Sequence, residues 1–176
     1  MSPECSQHFR AMKIRLPLLA VFAALVISGC GQKESASAPA TAVAPAAAPA
    51  GPRVIEITAN DQMQYSIKAI EAKAGEQLKV VLTNIGQLPK EAMGHNWVLL
   101  KAGTDTMAFA IAGSTARETD FIPAALKDQV IASIGILGPR KSGEVVFTVP
   151  AAGEYAFLCT FPAHFAIGMK GVLTVK

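Results

Sequence analysis

The chain has 176 residues, a length that predicts one domain with additional segments. Slightly more than half of the residues are apolar, a fraction inflated by the N-terminal segment and an alanine-rich tract. The formal charge is +3, and without residues 1–29 it is +1. Such a nearly neutral chain lacks the basic stripe that neutralises phosphates, so we expect no nucleic-acid partner.

Residues 12–30 have the pattern of a bacterial export signal, in which a short basic region precedes an apolar stretch and small residues. The ending Ile27-Ser28-Gly29-Cys30 resembles a lipobox, where the cysteine is acylated and becomes the mature N-terminus. An ordinary secretory signal with a chance cysteine is the alternative. We therefore expect a lipoprotein signal peptide at residues 1–29, with Met12 as an alternative start and Cys30 as the lipidated residue.

The segment that follows predicts where the protein is held. By analogy with other bacterial lipoproteins, Gly31 in place of aspartate favours the outer membrane over the inner membrane, and several acyl chains anchor stably. Residues 30–52 are rich in Ala, Pro and Ser, and the repeated prolines prevent a continuous helix. We expect a semi-extended tether that, at about 3.1 Å per residue, reaches at most roughly 70 Å.

From Arg53 onward, short apolar runs alternate with Gly and Pro turns, which predicts an all-β sandwich or barrel at residues 53–176. About eight strands are expected, at residues 54–58, 64–68 together with 70–73, 78–83, 97–100, 129–134, 144–149, 154–158 and 171–175. Residues 104–127 interrupt this rhythm. They predict a helix with an N-cap at Thr104 or Asp105 and a helical turn at 123–127, an insertion that covers one side of the sandwich.

One short segment carries a distinctive set of metal-binding side chains. Cys159, His164 and Met169 lie within eleven residues, and His95 comes 64 positions before the cysteine. Thiolate and thioether ligands suit Cu(I), whereas imidazole suits both copper oxidation states. Within residues 53–176, Cys159 is the only cysteine, which excludes an intradomain disulfide, and the two histidines are the only ones. We therefore predict a site for one copper ion of the blue, electron-transferring type.

Other chemistries fit this inventory less well. A Cys–His pair could serve a hydrolase, but nothing in the sequence indicates an oxyanion hole. Structural zinc prefers four strong ligands, and a thioether is a poor one. A copper oxidase or reductase needs further histidines for a second copper, and none is left in the domain. We therefore expect an electron carrier rather than an enzyme.

Five segments in order resemble azurin and cover most of residues 53–176. They are 60–64 (NDQMQ), 88–90 (LPK), 93–99 (MGHNWVL), 159–164 (CTFPAH) and 169–171 (MKG). This resemblance implies a cupredoxin, an eight-stranded Greek-key sandwich that carries single electrons in the periplasm. It also implies that the metal ligands are His95, Cys159 and His164 in a plane, with Met169 and the carbonyl of Gly94 on the axis.

The resemblance implies roles for residues around the metal as well. Asn96 and Thr160 are expected to brace the ligand loops, and the backbone N–H groups of Asn96 and Phe161 to approach the thiolate. An apolar patch around the second histidine is expected to dock redox partners, although ordinary turn packing is the alternative for its members. The candidate patch residues are Met63, Leu88, Pro89, Ala163 and Phe165.

Two features differ from azurin. Four residues separate His164 from Met169, where azurin has three, and this spacing is similar to that of auracyanin, a membrane-tethered relative. Azurin's disulfide is also absent. The sequence thus predicts a monomeric, membrane-anchored periplasmic blue-copper protein that exchanges electrons with c-type cytochromes or with copper-containing reductases or oxidases. A copper chaperone or storage lipoprotein, and a copper-bearing subunit of a larger oxidoreductase complex, are the alternatives.

Overall fold

The computed structural model describes residues 51–176, in which nine strands form two sheets packed against each other. The strands are β1 Arg53–Asn60, β2 Gln64–Tyr65, β3 Ala69–Ala72, β4 Gln77–Asn84, β5 His95–Leu100, β6 Val130–Leu137, β7 Ser142–Thr148, β8 Gly153–Leu158 and β9 Lys170–Val175. The predicted signal peptide at residues 1–29, the lipidation site Cys30 and the tether up to residue 50 lie outside the described residues.

The order of the strands shows that the chain crosses repeatedly between the two sheets. The first sheet has the order β2-β1-β4-β7 and the second the order β3-β9-β8-β5-β6. Pairing is parallel between β1 and β4 and between β3 and β9, and antiparallel between the other neighbours. The prediction of an all-β sandwich is therefore confirmed, with two parallel pairs in a mainly antiparallel arrangement.

The core lies between the sheets because apolar side chains alternate along the strands. In β4, Leu78, Val80 and Leu82 point inward and are fully buried, while the residues between them are partly exposed. Strand β5 differs, since all six of its residues are buried. It is covered on both faces, which explains why its sequence reads as a continuous apolar run rather than an alternating one.

One predicted strand is in fact two. The sequence suggested a single strand over residues 64–73, but β2 pairs with β1 in the first sheet and β3 pairs with β9 in the second. The chain crosses over between them, where Ser66 still hydrogen-bonds to Thr58 of β1 and the carbonyl of Lys68 already accepts from Val172 of β9. The prediction was wrong here because alternation continues across the crossing and does not mark a change of sheet.

The helical insertion covers the outer face of the second sheet, as predicted. Helix α2 (Thr106–Thr115) follows a short helix α1 (Lys90–Met93), and Asp105 caps α2 by accepting from the N–H groups of Met107 and Ala108 at 3.0 Å each. A 3₁₀ helix at Ala124–Gln129 replaces the predicted helical turn. The helix buries Phe109 in a second apolar cluster against the sheet, together with Val98, Leu100, Ala110, Leu158 and Phe165.

Close packing ties α2 to the predicted metal site. A Cβ atom on Gly113 would come within 2.8 Å of the Thr160 side chain and 2.7 Å of the Phe121 carbonyl. Only glycine lets the helix approach the segment after Cys159 this closely. Within residues 51–176, no helix has both the length and the apolar character that crossing a bilayer requires.

Candidate metal centre

The fold brings the four predicted side-chain ligands to one end of the second sheet. His95 is the first residue of β5, Cys159 directly follows β8, and Met169 directly precedes β9. Strands β5 and β8 are paired through Val98 and Leu158, so the start of one lies beside the end of the other. His164 begins helix α3 (His164–Ile167), which connects Cys159 to Met169.

Three of these side chains converge on a common point. The Nδ1 atoms of His95 and His164 are 3.2 Å apart, and the Sγ atom of Cys159 is 3.4 Å from Nδ1 of His164. All three residues are buried and together form a group able to hold a metal ion. Ligand atoms bind such ions at about 2.0–2.3 Å, so atoms separated by less than about 4 Å can reach one ion. The geometry and the soft donor set both fit copper.

The loop that carries His164 and Met169 is held by its own backbone. The N–H of Met169 donates to the carbonyl of His164 at 3.0 Å, and the N–H of Cys159 donates to the carbonyl of Met169 at 3.1 Å. Ala163 and Gly168 flank α3 with positive φ angles of 70° and 99°. This single helical turn accommodates the four residues between His164 and Met169, and Met169 is fully buried in the same core cluster as Cys159.

Gly94, the predicted axial carbonyl ligand, lies directly before β5 in a confined position. A Cβ atom there would come within 2.7 Å of both the Ile136 side chain and the carbonyl of Lys90. The absence of a side chain therefore lets the backbone pass close to His95. Coordination by the carbonyl of Gly94 stays a prediction.

Asn96 and Thr160, predicted to brace the ligand loops, are joined to each other by two hydrogen bonds. The amide Nδ2 of Asn96 donates to Oγ1 of Thr160 at 2.7 Å and to the carbonyl of Asp120 at 2.9 Å. Its Oδ1 accepts from the N–H of Thr160 at 2.9 Å, and the Thr160 hydroxyl donates to the carbonyl of Phe121. Because Asn96 follows His95 and Thr160 follows Cys159, this clasp fixes two ligands relative to each other.

The surroundings of Cys159 oppose a bare negative charge but supply donors to it. Burial raises the pKa of the Cys159 thiol to about 12, while the backbone N–H groups of Asn96 and Phe161 and the hydroxyl of Tyr65 act in the opposite direction. Within residues 51–176, Cys159 forms no disulfide. A bound metal cation compensates the buried thiolate where water cannot, so the site favours thiolate only together with a metal.

The two histidines are held in the form that binds metals. Burial lowers the pKa of each imidazole to about 4. At His164, the charge of His95 lowers the pKa further. At His95, the Asp61 carboxylate and the Asn60 carbonyl act in the opposite direction and partly offset the effect of burial. Both rings are therefore neutral at pH 7, and a neutral imidazole has the free lone pair that a metal needs. The Nε2 atom of His95 and the Oδ1 atom of Asp61 are both buried, and neither has a hydrogen-bond partner among residues 51–176.

Only some residues of the predicted docking patch lie at the surface. Leu88, Pro89 and Ala163 are exposed and Met63 is half-buried, but Phe165 is only 7% exposed. Including Phe165 in the patch was wrong. As part of a helical turn its ring faces the second cluster under α2, and the ammonium of Lys170 covers it at 4.5 Å.

Two residues near the site were missed by sequence reasoning. Ile167 at the outer face of α3 is 62% exposed, and its separation of three residues from His164 on a helical turn could have indicated it. Tyr65 is buried, and its hydroxyl donates to the main-chain carbonyl of Asn96. An aromatic residue with a polar tip on an inward-facing strand position was the available signal.

A β-sandwich that holds two imidazoles, one thiolate and one thioether in a buried site defines the class of mononuclear copper proteins. Residues 53–176 match the family model of copper binding proteins of the plastocyanin/azurin family. The chain belongs to this family, and copper is its cofactor. The azurins and auracyanins within it are blue-copper electron carriers rather than enzymes.

Individual relatives agree with this assignment. The chain is 40% identical over 132 residues to azurin of Pseudomonas denitrificans, covering 69% of this chain and 97% of the relative. It is 41% identical over 131 residues to azurin of Bordetella pertussis, covering 68% and 81%. The structure is similar to dithionite-reduced auracyanin from the photosynthetic bacterium Roseiflexus castenholzii, with 37% identity, a TM-score of 0.64, and coverage of 72% of this chain and 99% of that one.

Proposed function

We propose that this protein is a membrane-anchored, periplasmic carrier of single electrons, with one copper ion held by His95, Cys159, His164 and Met169. When bound, the copper supplies a one-electron couple between Cu(II) and Cu(I). The observation that carries the proposal is the convergence of three buried donor atoms, with separations of 3.2 and 3.4 Å. Two of them lie at the ends of the paired strands β5 and β8, and the third begins helix α3.

The protein's own contribution is to keep these donors nearly still while the charge changes. The Asn96–Thr160 clasp joins the segment of His95 to that of Cys159, and backbone hydrogen bonds join Cys159, Met169 and His164 within one loop. A ligand set that both oxidation states tolerate needs little rearrangement, which favours rapid exchange. The burial of all three donors also argues for a carrier over a chaperone, since metal transfer requires ligands that a partner can reach.

Exposed apolar side chains of the predicted patch suit brief encounters with a redox partner. From the predicted patch we retain Leu88, Pro89 and Ala163, and we add Ile167 in place of Phe165. A small apolar face supports weak contacts that form and separate quickly. The proposed partners are c-type cytochromes or copper-containing reductases or oxidases.

The position of β1 supports attachment from the end opposite the copper site. The last residues of β1 lie near the copper site. Ala59 pairs with Asn84, and the side-chain amide of Asn84 donates to the carbonyl of Leu137. Leu137 in turn pairs with the copper ligand His95. Arg53 is six residues before Ala59, about 20 Å away in an extended strand. An anchor at Cys30, with the outer membrane proposed from Gly31, would thus leave the copper end free for partners.

Electron exchange tests the proposed function directly. Oxidised, copper-loaded protein is mixed with a reduced c-type cytochrome in a stopped-flow instrument, and the cytochrome bands are followed. The proposal predicts rapid transfer of one electron per copper and reversal when the potentials are exchanged. Copper that leaves readily to a chelator but does not accept electrons from the cytochrome would indicate a chaperone or storage protein instead.

The anchor requires its own experiment. Mass spectrometry of the N-terminal peptide from membrane fractions is expected to show acylated Cys30, and Cys30→Ser is expected to release the protein into the soluble periplasmic fraction. Fractionation of inner from outer membranes then tests the proposed membrane. An unmodified Cys30 in soluble wild-type protein would contradict anchoring without affecting the proposed electron transfer.

A further inference from the structure

Tyr65 is held rigidly at the copper end of the sandwich by a tight hairpin. It forms β2 with Gln64 and pairs with Ala59 of β1. The side chain of Asn60 closes the hairpin by accepting from the N–H groups of Gln62 and Gln64 at 3.0 and 3.2 Å. Tyr65 is 3% exposed, and its ring packs against that of Phe157 with centroids 5.9 Å apart. The ring therefore has little freedom to move.

The hydroxyl of Tyr65 bonds to the backbone at an irregular point of the second sheet. The register of β5 against β6 shifts between His95 and Trp97, so Asn96 lies in a bulge outside the pairing. A buried carbonyl needs a donor, and the Tyr65 hydroxyl donates to the carbonyl of Asn96. This hydrogen bond links the first sheet to the second at the residue that follows a copper ligand.

Asn96 transmits this contact to the sulfur of Cys159 in two ways. Its side chain holds the backbone and hydroxyl of Thr160, the residue next to Cys159. Its own backbone N–H acts on the Cys159 sulfur, and the Tyr65 hydroxyl also lies close enough to act on that sulfur directly.

We propose that Tyr65 is a positioning residue of the copper centre, which fixes the Asn96 segment through its hydroxyl and so sets the hydrogen bonding of the Cys159 sulfur. The inference rests on the copper site described above. N–H dipoles directed at the sulfur stabilise negative charge there, and the reduced centre carries one more electron. Loosening Asn96 therefore favours Cu(II) and lowers the reduction potential.

The chain contains a matched control, because it has only two tyrosines. Tyr155 is also buried, and its hydroxyl donates to the carbonyl of Ala151 at 2.8 Å, towards the end of β8 that lies away from Cys159. Tyr65→Phe and Tyr155→Phe each remove one hydroxyl bonded to a main-chain carbonyl. A merely structural role predicts the same behaviour of the copper centre in both variants.

The test measures the equilibrium of the copper-loaded full chain with a cytochrome of known potential. Tyr65→Phe is expected to shift the equilibrium constant about two- to tenfold towards Cu(II), the range that the net free energy of one hydrogen bond covers, and to move the visible band. Tyr155→Phe is expected to change neither. Equal potentials and spectra in wild type and Tyr65→Phe would overturn the proposal.

A second readout does not depend on copper. In the copper-free protein, Tyr65→Phe is expected to shift the NMR signals of the Asn96 side-chain amide and the Thr160 N–H, and to speed their hydrogen exchange, while Tyr155→Phe leaves them unchanged. Unchanged signals would contradict the role of Tyr65 even if the site never became blue.

A further experiment applies if Tyr65→Phe fails to fold. Fluorotyrosine incorporated into Tyr155→Phe labels Tyr65 alone, because no other tyrosine remains. The fluorinated hydroxyl is a stronger hydrogen-bond donor and is expected to raise the reduction potential, so an unchanged potential would overturn the proposal.

Discussion

The Nδ1 atoms of His95 and His164 lie 3.2 Å apart, although 69 residues separate the two histidines along the chain. Both rings are buried, and burial lowers the pKa of each to about 4. Two imidazoles cannot both be protonated at this distance without strong repulsion. Neither ring therefore carries a positive charge at neutral pH, so each has a nitrogen lone pair to offer a metal.

This arrangement predicts that the copper-free protein loses stability as the pH falls from about 6.5 towards 5. The unfolded chain takes up protons on both histidines near the ordinary pKa of about 6.5, whereas the folded chain does so only near 4. Because the unfolded state binds more protons in this range, the free energy of unfolding decreases as the pH decreases. Thermal or denaturant unfolding of the copper-free protein at a series of pH values measures this dependence.

The histidines can be counted in the same experiment. The slope of unfolding free energy against pH is expected to approach two protons near pH 5, and His164→Gln is expected to reduce it by about one. A flat profile between pH 6.5 and 5 in the wild-type protein would show that the two rings are not buried as neutral groups.

The clasp between the ligand loops predicts an asymmetry between two threonines. Thr160→Val removes a hydroxyl that bonds both Asn96 and the buried carbonyl of Phe121, so we expect a loss of about 1–3 kcal/mol in unfolding free energy. Thr83→Val is the control, because its hydroxyl bonds Ser142 at the surface and its loss is expected to cost less than about 0.5 kcal/mol. Urea unfolding of the copper-free variants compares the two, and equal losses would argue against the clasp.

The revised docking face predicts that Ile167→Asp slows electron exchange with a partner while leaving the visible band intact. Ile167 is 62% exposed on the turn that begins with His164, so a carboxylate there disturbs an apolar contact without disturbing the core. Val54→Asp is a matched control, since Val54 is 50% exposed near the other end of β1. Stopped-flow rates with one cytochrome measure both; equally slow exchange in the two variants would point to charge alone rather than to this face.

The sequence was most informative where chemistry is carried by rare residue types. One cysteine and two histidines in residues 53–176 left few ways to assemble a site, and the structure places Cys159, His95 and His164 within one group. The helical insertion was also predictable, because Thr104 or Asp105 offers an N-cap ahead of an apolar run, and the structure selects Asp105. Both signals come from residue identity, so neither requires knowledge of the packing.

The features that could not be predicted from the sequence depend on contacts between distant segments. The split of residues 64–73 into β2 and β3 is decided by which sheet offers a partner, not by local alternation. The burial of Phe165 depends on α2 lying over it, and the role of Tyr65 depends on a bulge in β5. In each case the side chain is compatible with several environments, and tertiary packing selects one of them.

The most direct measurement is the visible absorption spectrum of the full-length protein after loading with one equivalent of copper(II), recorded beside Cys159→Ser. A thiolate bound to copper gives an intense charge-transfer band, so the wild-type protein is expected to turn blue, to bleach on reduction by one electron, and to lose the band entirely in Cys159→Ser. A wild-type sample that stays colourless with copper present, or a Cys159→Ser variant with the same band, would contradict a copper centre built on Cys159.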